Sequence, residues 1–491
     1  MENGVYTNFP ERGSGGMRCS LMENTGKAQS ASDIFASAPI GKLMLKFGIP
    51  AIISMLVNSL YNIVDQIFIG RGVGYLGNAA TNVCFPFVTL SLALSLLISD
   101  GGVACYSLML GEGRRERAER TLGTAIIAST VLGVALFAFG ELFLPNLLPM
   151  FGATVDSYSY ALEYGRITLL GIPFVAVSTC LSAVIRADGR PVYAMVCMVA
   201  GALTNVVLDA VFVLVLHWGV AGAAWATIIG QILNFVIAAF GIPSLRNAKV
   251  TFKSLRVDFA LLRRIVSLGT SSFVTQAAAT LVVILMNNLL VKHGAQTKYG
   301  ADIPMAAFGI VMKANQVVFS ILLGIGIGSQ PIEGYNYGAR NYRRVRQTFV
   351  RSIVVALVAG LIGWACFQLF TMQIINIFGN ENSLYNEFAV RCFRTFLMLL
   401  CISGITAVTG IFFQAIGKPL KAMLISLSRQ VLFFIPSLLI LTSRMGLDGT
   451  LYTGPCADAL AVIFASVLAV GELRNLNAKI REEDAQKSAQ E

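Results

Sequence analysis

Two aspartates stand in runs of otherwise apolar residues: Asp65, in Asn58-Ser-Leu-Tyr61-Asn62-Ile-Val-Asp65, and Asp209, in Asn205-Val-Val-Leu-Asp209. An acid at membrane depth costs several kcal/mol on insertion scales, so one that is retained there is a functional residue by default. Asn205 precedes Asp209 by four positions and shares its helical face. Counting from the outer end of each apolar run at about 1.5 Å per residue, Asp209 lies roughly 10 Å deep and Thr227 about 12 Å. Asp65 comes to a similar or slightly shallower depth. Two carboxylates, an amide carbonyl and a hydroxyl at similar depth are expected to form a single cation site. A carboxylate pair withdrawn from water can exchange a proton near neutral pH, and the same hard oxygens satisfy a desolvated Na⁺. The sequence leaves H⁺ and Na⁺ both open. The plainer role for Asn205 and Thr227 is hydrogen bonding between helices, an account that serves a charged aspartate less well.

The elements that must position these residues are membrane helices. The chain is 56% hydrophobic and 13% charged, with apolar runs of 18 or more residues recurring from about Gly48 to Val470. Such runs cross about 30 Å of hydrocarbon as helices, and they lack the alternation of barrel strands. Twelve spans are expected, at 47–69, 80–107, 122–144, 161–185, 192–216, 220–244, 263–292, 304–329, 349–371, 388–413, 420–442 and 447–471. The last six repeat the first six. Gly111-Glu-Gly-Arg-Arg returns as Gly338-Ala-Arg-Asn-Tyr, 227 positions on, and Gly219-x-x-Gly222 returns as Gly446-x-x-Gly449, with Gln231 matched by Asp458. Six is an even number, so the halves enter the bilayer in the same sense, related by an axis along its normal. The expected fold is all-α and polytopic, with two parallel, pseudo-symmetric six-helix lobes around a central cavity. Residues 1–39 read as a flexible cytosolic lead, 40–245 as the first lobe and 246–262 as a cytosolic linker. Residues 263–472 make the second lobe and 473–491 a cytosolic tail.

Basic residues set the orientation. The loops after spans two, four, six, eight and ten carry nineteen Lys and Arg residues, Arg114 and Arg340 among them, against seven on the opposite side. Both termini are therefore expected in the cytoplasm, with the chain in the plasma or inner membrane. Most of the net charge of +11 lies where anionic lipid headgroups meet it, so no nucleic-acid partner is invoked. The nine cysteines have no CxxC or Cys/His spacing, and no metal site is expected. Nor is there a Gly-x4-Gly-Lys-Ser/Thr loop for nucleotide, a nucleophile with its base, or a cofactor motif. The chain does not read as an enzyme, and its energy must come from an ion gradient or from the substrate's own.

The halves differ in chemistry. Met286 stands where the first half has Asp65, and Ser437 where it has Asp209. Lys313 and Arg429 bring positive charge into the second half, with Glu333 and Asp458 as expected ion-pair partners. For Asp458 a substrate contact is the sharper alternative. Tyr61, Phe174, Met195, Phe273, Met286 and Phe308 are candidates to line a cavity. Prolines at 50, 86, 173, 331, 436 and 455 mark expected bends, and the Gly324-Ile-Gly326-Ile-Gly328 run reads as close helix packing rather than a phosphate loop.

Several motifs in order carry a resemblance. Asn58-Ser-Leu-Tyr61-Asn62-Ile-Val-Asp65-x-Ile-Phe-Ile-Gly70, Ile185-Arg186-Ala-Asp188-Gly189-x-Pro191, Asn205-x-x-Leu-Asp209-x-x-Phe212 and Gln330-Pro331-Ile-x-Gly334-Tyr335-Asn336 together resemble the multidrug and toxic compound extrusion family over roughly residues 40 to 472. The resemblance implies a V-shaped pair of lobes and efflux of cationic amphipathic compounds by antiport against H⁺ or Na⁺, without a cofactor and as a monomer. It is similar in particular to the branch with its cation site in the first lobe, which places Asp65, Asn205, Asp209 and Thr227 in that role. The other branch uses an acid in span seven, where this chain has Gln276. Gln276, Met286, Asp458 and Tyr61 are then the candidate substrate contacts. A flippase for a lipid-linked saccharide is the alternative reading of the same architecture.

Overall fold

A computed structural model describes residues 35–73, 75–151, 155–248, 250, 254–300, 302–378 and 383–488. The spans of the first lobe are α1 (Ile40–Gly72), α2 (Tyr75–Gly111), α3 (Arg115–Met150), α4 (Val155–Ala187), α5 (Pro191–Val215) and α6 (Gly219–Gly241). Those of the second are α7 (Phe259–Gly294), α8 (Asp302–Gly338), α9 (Tyr342–Leu369), α10 (Ser383–Phe396 continuing as Leu400–Ala415), α11 (Pro419–Met445) and α12 (Leu447–Ser488). Eleven are long and apolar enough to cross a membrane, and α10 makes the twelfth when its two pieces, bent by 50°, are taken as one span. No strand occurs among the described residues. Helices satisfy their own backbone groups, which hydrocarbon cannot do. The outer walls accordingly expose large apolar side chains such as Leu142, Phe240 and Leu369.

The helices overrun the expected spans. α12 runs without a break through 472 to Ser488, so the segment expected as a tail is helical over 473–488. Glu472 takes ion pairs from Lys418 and Lys421, Asp484 takes one from Arg343, and the Lys479 ammonium lies 4.7 Å from the Tyr342 ring centroid. At the other terminus Phe35 is 1% exposed, packed between Phe47 and Tyr335, and its carbonyl accepts from Asn336 and Arg344. Residues 35–39 are thus tied to α8 and do not form part of a flexible lead. The remainder of that expected segment, 1–34, lies outside the described residues.

Pro50, Pro86, Pro173, Pro331 and Pro455 all sit inside continuous helices. The ladder is widened instead at two π-helical stretches, Ala210–Val215 of α5 and Ser428–Phe434 of α11, the second just before Pro436. Such widenings recur at functional sites.

Within the first lobe α4 packs on α2, α3 and α6, and α5 lies between α6 and α1. The lobes meet along α1 against α8 and α2 against α7 and α8. Glycines make that seam close. A Cβ on Gly269 of α7 would fall 1.7 Å from the Leu97 carbonyl oxygen of α2, and one on Gly101 would fall 2.0 Å from that of Ile265. Gly324 and Gly328 meet the backbone of α1 at Ile52 and Gly48, which confirms the packing role read from the glycine run. All these approaches lie in the half of the molecule that carries the arginine-rich loops.

Candidate cation site

α5 and α6 are brought together by two glycines. A Cβ on Gly201 would stand 2.7 Å from the Gly230 carbonyl oxygen, and one on Gly230 would stand 3.1 Å from Asn205 Cβ. One turn above this contact Asn205 Nδ2 donates to Thr227 Oγ1 at 3.2 Å. Asp209 follows on the same face of α5, fully buried, at the last residue before the ladder widens. α1 packs on α5 and delivers Asp65, half-buried, beside Asp209. The four residues expected to share a site are therefore together, on three helices of one lobe.

Their oxygens are unfilled. Oδ1 of Asp65, both carboxyl oxygens of Asp209 and Oδ1 of Asn205 are buried and meet no hydrogen-bond donor from the protein. Buried acceptors without a donor are unfavourable in a low dielectric. A proton between the carboxyls, or a hard monovalent cation among the four oxygens and the Thr227 hydroxyl, relieves this. Tyr61, one turn before Asp65, and Tyr164 of α4 flank the pair. Farther along α6, Gln231 Oε1 and Asn234 Oδ1 are also buried without partners, which continues a strip of free oxygens from Thr227 at helical spacing.

The other expected residues are dispersed. Gln276 is half-buried on α7. Met286 is 0% exposed, packed with Leu290, Phe308 and Phe388 in the core of the second lobe. Its flexible thioether fills space there, so its position is interior packing rather than an open wall, and the same holds for Phe308. Asp458 is taken by Arg429, whose Nε donates to Oδ1 at 2.9 Å. Lys313 enters no ion pair found among the described residues. Glu333, expected as a partner for the two basic residues, pairs with neither. It is fully buried with both carboxyl oxygens unpartnered, and it lies twenty residues from Lys313 on one helix, about 30 Å.

A second polar cluster, at the seam, was not anticipated. Asp100 of α2 accepts from Ser272 Oγ of α7 at 2.7 Å, across the lobes. Gln414 Nε2 of α10 reaches Ser272 Oγ and the Leu268 carbonyl at 3.3 and 2.9 Å, and Gln330 of α8 reaches Gln414 Oε1 at 3.4 Å. Arg186, 8% exposed, lies beside Asp100 in the first lobe. The available signal was an acid inside span two; its nearness to the arginine-rich end hid it. Asp188, in the α4–α5 loop, accepts from Tyr106 Oη at 2.7 Å and from the backbone N–H groups of Arg246 and Asn247. This fastens α2, that loop and the segment after α6.

Comparison with known proteins bears on both lobes. The MatE family model matches residues 50–211 and 268–439. The multidrug export protein MepA of Staphylococcus haemolyticus is 24% identical over 449 residues, covering 90% of this chain and 95% of that protein, and MepA of Staphylococcus aureus is 23% identical over 440. Among solved structures, a multidrug resistance MATE family transporter of the MOP superfamily in an outward-facing conformation superposes with a TM-score of 0.84 at 23% identity, over 90% of this chain and 98% of that one. A MOP superfamily transporter from Pyrococcus furiosus, described as having a binding pocket of reverse polarity, gives 0.84 at 22% identity over the same shares.

Proposed function

Since the chain belongs to the MatE family, we propose that it exports cationic amphipathic compounds across the plasma membrane by antiport against H⁺ or Na⁺, with the first lobe as the cation-exchanging half. The observation that carries this reading is the set of four donorless buried oxygens on Asp65, Asn205 and Asp209. The names of the curated relatives, multidrug export proteins, support efflux and do not favour a saccharide flippase.

The mechanism follows from charge. The glycine seam closes the arginine-rich end, and with that end cytoplasmic the arrangement corresponds to the outward-facing step of the cycle. The empty carboxylate pair holds negative charge that retains water and an organic cation near the first lobe. Arrival of H⁺ or Na⁺ from outside lowers that negative charge, and the bound compound leaves. The lobes then rock about the axis between them, and loss of the cation to the cytoplasm restores a cavity that binds the next compound. Apolar walls supply most of the affinity, and the acids select for positive charge.

The test uses the full chain in proteoliposomes, with a cationic dye added and the collapse of a preset pH or Na⁺ gradient recorded. Asp65→Asn and Asp209→Asn are each expected to abolish dye-driven cation movement while leaving protein level and fold intact. Undiminished antiport in both variants overturns the proposal.

A further inference from the structure

α11 and α12 are the second-lobe counterparts of α5 and α6, on the register of 227 that carries Gly219-x-x-Gly222 onto Gly446-x-x-Gly449. Along that register the oxygen ligands of the first lobe disappear. Thr227 becomes Gly454, where a Cβ would fall 2.7 Å from the Phe396 carbonyl oxygen. One residue off the same register Asp209 becomes Ser437, whose hydroxyl bonds the Cys456 sulfur at 3.4 Å. The place of Asp65 is held by Met286, fully buried. An acid returns one turn deeper, about 6 Å, where Gln231 becomes Asp458.

That acid is already occupied. Arg429 bonds it at 2.9 Å and lays its guanidinium 5.4 Å from the ring centroid of Phe319 on α8. The ion pair thus ties α8, α11 and α12 together. Arg429 stands in the π-helical stretch of α11, as Asp209 abuts that of α5. The two side chains keep 24% and 11% exposure, so the pair is not sealed from every side. A guanidinium stays protonated at any working pH, and a buried carboxylate deprived of it must find another positive charge.

We propose that Arg429 is a tethered cation: it holds permanently, in the second lobe, the charge that an exchangeable cation supplies in the first, so Asp458 loads nothing and each cycle exchanges cation at one lobe only. This deepens the antiport reading above and rests on it. The asymmetry between the lobes then has two parts. The second lobe lacks the counterparts of Asp65, Asp209 and Thr227, and the one acid it keeps nearby, Asp458, is held in a fixed bridge by Arg429.

Coupling stoichiometry, taken from the reversal potential of ethidium transport in proteoliposomes with H⁺ and Na⁺ gradients set in turn, tests this. Arg429→Gln is expected to raise the number of cations moved per dye by one. Arg429→Gln/Asp458→Asn is expected to restore the wild-type number, as is Arg429→Lys, which keeps the tethered charge. If Arg429→Gln does not assemble, Asp458→Asn alone decides, because the proposal requires the wild-type number from it. Arg429→Gln at the wild-type number, a double variant that keeps the raised number, or Asp458→Asn one cation lower each overturns it. Failure of the first-lobe reading shows separately, as full coupling in Asp209→Asn.

Discussion

Replacing Gly269 by alanine puts one methyl group between the lobes. The new Cβ would stand 1.7 Å from the Leu97 carbonyl oxygen, whereas ordinary contact begins at 3.4 Å, so α7 must withdraw from α2 by ~1.7 Å. Neither neighbour can yield, because both are helix backbone. Overpacking of this kind costs about 1–3 kcal/mol. Withdrawal also stretches the Ser272–Asp100 hydrogen bond, 2.7 Å long and less than one turn from Gly269, for roughly another 1 kcal/mol. If the lobes alternate as proposed, a penalty of about 2–4 kcal/mol confined to the sealed conformation is expected to shift the balance by roughly 30- to 1,000-fold toward an arrangement open at the arginine-rich end. Spin labels at Arg117→Cys and Arg346→Cys, both exposed positions at that end of either lobe, report the change in a cysteine-free background. The expected result is a new, longer inter-label distance as the major population in Gly269→Ala. The control, Gly309→Ala, has nothing within 4 Å of its Cβ and is expected to leave the distances unchanged. An unaltered distribution in a folded Gly269→Ala protein refutes the argument that backbone contact at this glycine seals the seam.

Thr227→Val removes a hydroxyl and its 3.2 Å bond from Asn205 but no charge. Apparent cation affinity, from gradient-dependent transport, is expected to fall about tenfold, near 1.4 kcal/mol, with coupling intact; loss of coupling would assign the hydroxyl a larger role. Asp188→Ala leaves the backbone N–H groups of Arg246 and Asn247 and the Tyr106 hydroxyl without their acceptor. A loss of about 2–4 kcal/mol is expected, read as a lower melting temperature of the purified protein, and an unchanged melting temperature would mean that water replaces the carboxylate.

What the sequence made legible was decided by cost. Asp65 and Asp209 stood out because a carboxylate in hydrocarbon needs a reason to be there, and α1 and α5 bring those two groups together. Asp100 carries the same charge but sits eleven residues from the end of α2, beside loops already rich in arginine. Its partner Ser272 lies 172 positions away and has no charge to announce itself. Met286 looked like a wall residue because an apolar side chain in a span fits lipid, cavity and core equally well. Only the packing of Leu290, Phe308 and Phe388 around it selects the core. Phe35 was lost in a polar lead, since one aromatic residue among Ser, Ala and Gly makes no periodic pattern, although it is nearly as buried as any residue in the spans.

The candidate site and the seam share α1, which gives the proposed antiport a route from a small ion to a large lobe. Gly48 and Ile52 of α1 lie against Gly328 and Gly324 of α8, while Asp65, thirteen residues beyond Ile52 and about 20 Å along the axis, faces Asp209 of α5. Pro50 falls between the two seam contacts and leaves the helix there one backbone hydrogen bond short. On that proposal, a cation bound at the carboxyl pair lowers the repulsion between α1 and α5, and α1 accommodates the change most cheaply at Pro50, where its ladder lacks a bond. The inner part of α1 is clamped backbone to backbone against α8, so under the proposed cycle a displacement at Asp65 would reach the α8 contact as a choice between packed and unpacked rather than as a continuous deformation.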